Sequence, residues 1–405
     1  MKTLLIIGGG AEQMPAYEAA KKRGLTIVAT DVDASAPALN LADFVLLAST
    51  RDADKTIDKV LEFSKEHQIN GVMTIANDVP YTVARVAKAL NLPSISVESS
   101  ILFSNKLLMK EAFIKSDVAC PWFSSIESLD EFAEAVTDRA QQTYVLKPID
   151  GRGARGVLII DEDIDLALAF RESKSWGESG QLILEKFVDG VQLSTESFIQ
   201  DGVCYTPAIS ERNYSRVEQF KPNIIEDGGT IPANISDDLN LEINDLILRG
   251  AKALGVNNGL VKGDLVIDKN GKPRIIELAA RLSGGWFASH QIPSASGVNF
   301  VDIVISYALG EKIAPANLLP KFCKGNAIRY WFPKSGVIKK ITGESDLKKI
   351  PGLLKYGFFR KEGDFQPEVK MHPDRLGYVI VEGADRVEAV GRVEKAILCI
   401  NIEVE

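Results

Sequence analysis

The chain has 405 residues, enough for two or three domains with large cores. Its residues are 45% hydrophobic and 25% charged, as in typical globular proteins, and its net charge of -8 argues against a nucleic-acid or membrane-surface partner. The apolar runs are too short to span a bilayer, and the N-terminus lacks the features of a signal peptide. Together with four cysteines that show no CxxC spacing, these features predict a cytoplasmic protein.

The first hundred residues alternate between strand and helix patterns. The run TLLIIGGG indicates a buried strand that ends in glycines, and the amphipathic helix EQMPAYEAAKKRG follows it. Three more strand-like runs come next: TIVATDVD, ADFVLLAS and INGVMTIANDV. This alternation predicts a doubly wound parallel sheet, with Asp31 at the carboxyl edge where such sheets bind ligands.

The glycines after the first strand also suggest a dinucleotide-binding loop. An NAD-dependent oxidoreductase built on it would need a glycine at position 13 to complete G-x-G-x-x-G, and the residue there is Gln13. The spacing therefore argues against an oxidoreductase.

A different pattern begins near residue 101. The segment SNKLLMKEAFIKSD is predicted to be a helix with Ser104 as its N-cap. Strand patterns follow in YVLKPIDGRGARGVLII and QLILEKFV, then a hairpin that turns at Asp201-Gly202 and a helix near 239–254. After a helix that ends at Gly310, short strands and a closing helix near 386–398 indicate a smaller α+β domain.

A glycine-rich loop, GRGARG at 151–156, lies between two strands. A dinucleotide fingerprint would instead open a helix, so the loop is better interpreted as a flap whose N–H groups cover phosphates. Lys147, at the end of the preceding strand, is well placed to reach phosphates under such a flap. An ordinary surface hairpin with a solvated Lys147 is the alternative, and Lys106 by pattern alone is a helix-surface lysine.

The segment LEKFVDG, at 184–190, has the polar main chain and apolar side chains that could clamp an adenine at a strand-to-loop hinge. The signal is weak by itself, and a structural role is the simpler interpretation of this segment alone.

The pair Asn270-Gly271 predicts a hairpin between two apolar stretches. If these two residues form the whole loop, Asp264 lies directly opposite Glu277, where like charges destabilise a sheet. A bound Mg²⁺ between the two carboxylates would offset this repulsion and hold nucleotide phosphates. Only three scattered histidines are present, so oxygen ligands are favoured over a zinc site. The alternative is a longer loop that leaves two exposed, unrelated carboxylates.

Four features occur in one order along the chain, within about 180 residues: the glycine-rich flap, its lysine, the hinge segment and the acidic hairpin. That order resembles the ATP-grasp superfamily of carboxylate–amine ligases, in the branch of L-amino-acid ligases and carbamoyl-phosphate-synthetase-like enzymes. The motifs are NK (105–106), VLKP (145–148), DGRGARGV (150–157), EKFVDG (185–190) and IELAARLSGG (276–285). The resemblance implies an α/β pre-ATP-grasp domain at 1–100, an ATP-grasp domain of two α+β lobes at 101–310 with the flap at 150–157, and a C-terminal α+β domain at 311–405.

The resemblance also implies the cofactors ATP and Mg²⁺, with Mn²⁺ as a substitute, and two small-molecule substrates, a carboxylate and an amine. Dimers are common among similar ligases, so a homodimer is an expectation as well. By the same resemblance, Asp264 and Glu277 would hold the metal, and Arg281 and Lys147 would be catalytic. The nucleotide contacts it implies are Lys106, Lys147, Gly151, Arg152, Gly153, Gly156, Glu185, Lys186 and Val188.

Two positions depart from the family pattern. The family usually has E-x-N-x-R, but Ala279 stands where the asparagine would be a third metal ligand. Many relatives place an acid for the ribose where this chain has Gln192, so Gln192 or Glu196 is expected to make that contact. A non-catalytic nucleotide-binding protein and another ATP-grasp chemistry, such as bicarbonate-dependent carboxylation or purine-pathway ligation, therefore remain alternatives.

Substrate contacts are the least specific prediction. Arg212 and Arg216 could pair with a carboxylate, although solvated loop arginines fit the pattern equally well. His290 is more simply a structural histidine than a substrate contact.

Overall fold

The computed structural model describes residues 1–138 and 142–405. The first sheet is parallel, with strand order β3-β2-β1-β4, as the sequence predicted. Its strands are β1 (Thr3–Ile7), β2 (Thr26–Asp31), β3 (Phe44–Leu47) and β4 (Gly71–Met73), and its helices are α1 (Met14–Lys22), α2 (Ala53–Phe63) and α3 (Pro80–Leu90). Leu4 and Ile6 pack into one core while Leu5 and Ile7 pack into another, so both faces of the sheet are covered.

Two consecutive helices, α4 (Val97–Ser104) and α5 (Lys106–Lys115), connect this sheet to the next. The predicted N-cap at Ser104 is wrong, because Ser104 ends α4. Asn105 caps α5 instead: its side chain accepts hydrogen bonds from the N–H groups of Leu107 and Leu108, at 3.0 and 3.1 Å.

The second sheet is antiparallel, with order β5-β8-β6-β7. Its elements are β5 (Phe123–Ile126), α6 (Leu129–Thr137), β6 (Tyr144–Pro148), β7 (Leu158–Ile160), α7 (Leu166–Lys174) and β8 (Leu182–Lys186). The glycine-rich loop connects β6 to β7, so it is a strand–loop–strand unit as predicted.

The third sheet has nine strands in the order β14-β13-β9-β11-β12-β15-β19-β17, with β10 paired to β9. Its first part comprises β9 (Gly190–Gln200), β10 (Val203–Tyr205), β11 (Ile209–Asn213), α8 (Val217–Phe220), β12 (Gly228–Ile231), α9 (Asp237–Ala253), β13 (Gly259–Asp268), β14 (Pro273–Ala279), α10 (Ile292–Ser296) and α11 (Phe300–Ala308). The hairpin between β9 and β10 turns at Asp201-Gly202, as predicted.

The remaining elements are β15 (Gly325–Trp331), β16 (Gly336–Thr342), α12 (Glu344–Leu347), β17 (Leu353–Phe358), β18 (Phe365–Gln366), β19 (Gly377–Gly383), α13 (Arg386–Cys399) and β20 (Asn401–Val404). Strand β15 pairs with β12, so the nine-stranded sheet runs across the predicted domain boundary at residue 310. The division into three domains stays a prediction. In the described residues, no helix has the length and apolar character needed to cross a membrane.

Candidate active site

A cavity of about 1240 Å³ lies between the three units that surround it: the parallel sheet, the flap and the nine-stranded sheet. Most of the predicted site residues line it, and these are Lys106, Lys147, Gly151, Arg152, Gly153, Glu185, Lys186, Val188, Gln192, Arg212, Asp264, Glu277 and Arg281. Four predicted residues do not line it, and these are Gly156, Glu196, Arg216 and His290.

Asp264 on β13 is paired directly with Glu277 on β14. The predicted facing of the two acids is confirmed, but the predicted two-residue loop is wrong. Asp268 and Lys272 close a three-residue loop, with an N–H to O=C bond of 2.9 Å and Gly271 at φ +76°, and the register is then shifted by a bulge at Ile276. The extra residue of the loop and the bulge compensate for each other.

Asp264 is already surrounded by donors. Its Oδ1 accepts hydrogen bonds from Ser194 Oγ at 2.9 Å and from Arg212 Nη1 at 3.1 Å, and its Oδ2 contacts Lys262 Nζ. Burial alone would raise the pKa of Asp264, but the charges of Lys262 and Arg212 lower it, so the group is a carboxylate. Across the hairpin, the Glu277 carboxylate lies 3.4 Å from Lys106 Nζ.

These two acids fit a hard divalent cation. Oxygen donors are what Mg²⁺ prefers, and Mg²⁺ is commonly held by one or two carboxylates with substrate phosphates completing its shell. Among residues 1–138 and 142–405, no group of three His, Cys, Asp or Glu side chains converges as a fuller ligand set. Ala279 lines the cavity beside the pair but brings no ligand atom.

Lys106 connects the acidic hairpin to the flap. Its Nζ donates a hydrogen bond of 2.8 Å to the carbonyl oxygen of Gly151, and its backbone N–H donates to Ile149 O at 2.8 Å. It is the first residue of α5, where its side chain is largely buried. Lys106 is therefore a cavity residue and not the surface lysine that its pattern alone suggested.

Lys147 and Glu185 belong to a buried ion cluster. Lys147 Nζ lies 2.7 Å from Glu185 Oε1, and Lys110 Nζ lies 3.3 Å from Glu185 Oε2. Burial would raise the pKa of Glu185, but the two ammonium groups lower it, and burial lowers the pKa of Lys110. Glu185 therefore remains a carboxylate beside the predicted adenine position, with both oxygens close to lysines.

Gly156 anchors the flap outside the cavity. Its carbonyl oxygen accepts a hydrogen bond of 2.8 Å from Ser173 Oγ on α7, and its φ is +66°. A Cβ here would lie 3.0 Å from Ser173 O and from a ring atom of Trp176. This glycine packs the loop against α7, and its expected contact with phosphate stays a prediction.

Glu196 is another predicted site residue that does not line the cavity. It is fully buried, its Oε1 accepts a hydrogen bond of 2.7 Å from the Ser283 N–H, and burial raises its pKa to about 7. The loop after β14 lies against Glu196 and separates it from the cavity lining, and its expected contact with ribose stays a prediction. Gln192, four residues earlier on β9, does line the cavity.

Arg281 is held by a residue of the parallel-sheet unit. Its Nε and Nη2 donate to the two carboxylate oxygens of Asp78 at 2.5 and 3.0 Å. Burial would raise the pKa of Asp78, but the attraction of Arg281 outweighs it and lowers the pKa to about 2. The guanidinium that was predicted to bind substrate is thus oriented in advance by a fork-shaped ion pair.

Of the other predicted substrate contacts, one lines the cavity and two lie outside it. Arg212 lines the cavity but is paired with Glu226, at 2.9 Å from Nε, as well as with Asp264. Arg216 lies outside, with its guanidinium over the rings of Phe220 and Phe332. His290 packs edge-on against Trp286 and contacts Ser289 Oγ at 2.9 Å, and burial lowers its pKa to about 4, in agreement with a structural role.

Several cavity residues were missed by sequence reasoning, and these are Glu12, Asp78, Lys262, Tyr330 and Arg375. Glu12 accepts a hydrogen bond of 3.0 Å from the Gly285 N–H, and Arg375 lies 3.8 Å above the Tyr330 ring. Glu12 could have been suspected, because it follows the glycines at the carboxyl edge of the first sheet. No sequence signal indicated Arg375.

Three family models match consecutive parts of the chain. An ATP-grasp N-terminal domain matches residues 17–94, an ATP-grasp domain matches residues 103–285, and L-amino acid ligase C-terminal domain 2 matches residues 329–405. The chain is an ATP-grasp protein. The predicted superfamily and fold, with a parallel-sheet N-terminal unit and a small C-terminal unit, are confirmed.

Similar proteins agree with this assignment. Dapdiamide A synthase of Enterobacter agglomerans is 22% identical over 389 residues, which cover 89% of this ATP-grasp chain and 86% of that protein. An uncharacterized protein of Sinorhizobium fredii is 24% identical over 362 residues, 88% of this chain and 73% of that protein. The L-amino acid ligase of Bacillus licheniformis superposes with a TM-score of 0.84 at 21% identity, over 100% of this chain and 99% of that structure, which establishes the fold.

Proposed function

We propose that this ATP-grasp protein is an ATP- and Mg²⁺-dependent ligase that activates a carboxylate as an acyl phosphate and joins it to an amine, with an amino acid among its substrates. The observation that carries the proposal is the facing pair Asp264 and Glu277 in one cavity with two lysines and a glycine-rich flap. The match of residues 329–405 to an L-amino acid ligase domain and the similarity to dapdiamide A synthase support the substrate class.

The nucleotide end of the cavity is formed by the chain's own cations and main chain. Lys106 and Lys147 neutralise phosphate charge, and the N–H groups of the flap add donors from above. The hinge after β8 offers the main chain of Lys186 and Val188 to the adenine, with Glu185 beside them. These groups position ATP with its γ-phosphate toward the acidic hairpin.

Asp264 and Glu277 would hold the metal, Mg²⁺ or in its place Mn²⁺. When bound, the cation supplies charge neutralisation for the phosphate oxygens during transfer. Arg281, fixed by Asp78, faces the same region and complements the negative charge of a substrate carboxylate or of the acyl phosphate. Ordered side chains of this kind lower the barrier by positioning, without a nucleophilic residue.

The reaction then needs two displacements. A carboxylate oxygen attacks the γ-phosphorus as the bond to ADP breaks, which gives an acyl phosphate. The amine nitrogen attacks the acyl carbon, the C–O bond to phosphate breaks, and the nitrogen loses a proton to leave an amide. ATP is converted to ADP and phosphate in each turnover.

Further parts of the proposal rest on composition and resemblance. The partners are small molecules, without nucleic acid or membrane, the location is cytoplasmic, and the assembly is a homodimer. The net charge of -8 supports the absence of polyanionic partners.

A non-catalytic nucleotide-binding protein is the second candidate, and the surroundings of Asp264 favour it. Both oxygens of Asp264 already have cationic partners, Arg212 and Lys262, and Ala279 provides no third ligand. Phosphate release with MgATP over pooled carboxylates and amines, followed by mass spectrometry of the product, separates the candidates. Amine-dependent release with an amide product supports the ligase. Nucleotide binding without turnover supports the second candidate, and release triggered by bicarbonate identifies another ATP-grasp chemistry.

A further inference from the structure

A buried cluster beside the cavity carries more positive than negative charge. Lys110, Lys147 and Glu185 are 1%, 5% and 3% exposed, and both ammonium groups point to the same carboxylate, at 3.3 and 2.7 Å. The two lysines outnumber the one acid, so one positive charge remains unbalanced. Buried unbalanced charge is costly unless a counter-ion is supplied.

The two lysines have different surroundings. Lys147 lines the cavity, whereas Lys110 lies behind Glu185 and donates a second hydrogen bond, of 3.3 Å, to the carbonyl oxygen of Ile275. Lys110 is one helical turn after Lys106 on α5, so it extends from a helix that is anchored by its Asn105 cap. Only Lys147 can therefore turn toward a ligand without leaving the protein interior.

We propose that Lys110 is a positioning residue: it is the permanent counter-ion of Glu185 and thereby frees Lys147 to bind nucleotide phosphate. The inference rests on the proposed ATP binding and deepens it. When Lys147 turns to phosphate, Glu185 keeps Lys110 as its partner, and the phosphate balances the surplus charge. Lys147 Nζ lies 2.7 Å from Glu185 Oε1, and this is the contact that it would exchange for phosphate.

Removal of Lys110 changes this balance in a defined way. In Lys110→Met, one lysine and one acid remain, and Lys147 cannot leave without stranding a buried carboxylate. In the double variant Lys110→Met/Glu185→Gln, Lys147 is again a surplus cation and is free to bind phosphate. A residue that only supports packing would not show recovery when a second buried side chain is replaced.

The test is ADP binding by isothermal titration calorimetry with Mg²⁺ present and no carboxylate or amine, so that turnover plays no part. We expect Lys110→Met to weaken ADP affinity about tenfold or more, the size of one lost charge-assisted contact. Because Glu185 is itself an expected adenine contact, Glu185→Gln alone is the reference for the double variant, and adding Lys110→Met to it should change ADP affinity by less than about threefold. Lys110→Arg, which keeps the charge, should bind within about threefold of wild type. Lys115→Met, on an exposed position of α5, is the matched control and should bind as wild type does.

Wild-type affinity in Lys110→Met, or a double variant that binds ADP about tenfold or more weakly than Glu185→Gln alone, would overturn the inference while leaving the proposed ligase intact. If Lys110→Met does not fold, the double variant decides the matter, because it contains no stranded carboxylate. Binding equal to that of Glu185→Gln alone supports the inference, and clearly weaker binding overturns it. A wild-type protein that does not bind ADP at all would contradict the proposed function itself.

Discussion

Asp264 lies directly opposite Glu277 although the loop between their strands is one residue longer than the turn motif requires. The bulge at Ile276 restores the register, so that two carboxylates share one face of the hairpin at the cavity. In the proposed function, a cation shared by both acids would offset their repulsion, in addition to the lysines and the arginine that already contact them.

Glu277→Gln tests the role of that face. The amide keeps the shape of the side chain but removes its charge, so the metal would be held less well. We expect kcat to fall about a hundredfold or more, because the metal then stabilises less of the charge in the transition state. Phosphate release at saturating MgATP measures the effect. Glu242→Gln, at an exposed position of α9 near the hairpin loop, is the control and should retain full activity. Near-normal turnover in Glu277→Gln would refute the metal role.

Asp78→Asn tests whether the parallel-sheet unit orients Arg281. The variant loses the charge that holds the guanidinium at 2.5 and 3.0 Å, so we expect a lower kcat/KM for the carboxylate substrate and an unchanged KM for ATP. Stability should fall by about 1–3 kcal/mol in urea unfolding, because a partly buried charged hydrogen bond is lost. An equal rise in both KM values would show that Asp78 acts on the whole cavity and does not serve Arg281 specifically.

Glu196→Gln tests, through the pH dependence of stability, whether burial keeps this acid protonated. The pKa of Glu196 is raised from 4.5 to about 7 on folding, so the folded state favours the protonated acid. Its contribution to stability is therefore complete below pH 4.5 and is lost as the pH rises through 7, by up to about 3 kcal/mol. We expect the variant, which resembles the protonated form, to be more stable than wild type at pH 8 and to lose this part of the pH dependence. The exposed Glu62→Gln is the control, and an unchanged profile in Glu196→Gln would contradict the prediction.

Gly156→Ala tests the anchoring of the flap. An alanine there must adopt φ +66° and place its Cβ 3.0 Å from Ser173 O. We therefore expect the free energy of unfolding to fall by about 1–2 kcal/mol and the KM for ATP to rise. Gly202→Ala has a similar φ, +80°, in open space on the β9–β10 turn, and it controls for the backbone cost alone. If both variants leave KM unchanged, the flap does not depend on this contact.

The parts of the fold that were predictable from sequence are those with short-range signals. The parallel sheet followed from buried apolar runs alternating with amphipathic helices, and Asp264 faced Glu277 because two local deviations from the simple hairpin cancelled. The sequence pattern alone could not show whether Lys106 is buried or exposed. Its burial depends on a contact with the carbonyl oxygen of Gly151 in the flap, 45 residues away.

The surroundings of several site residues were not predictable because they depend on tertiary contacts. Glu196 shares the period-two alternation of β9 with Gln192, but the loop after β14 folds over it and donates from Ser283. Asp78 reaches Arg281 across 203 residues of sequence. Such contacts are set by the docking of whole units, and no local pattern contains them.

The most direct test of the account is a crystal structure with a non-hydrolysable ATP analogue and Mn²⁺, whose anomalous scattering locates the metal. We predict a Mn²⁺ peak between the carboxylates of Asp264 and Glu277, with the phosphates against Lys106 and Lys147 under the flap. A nucleotide bound elsewhere, with no metal between Asp264 and Glu277, would contradict it.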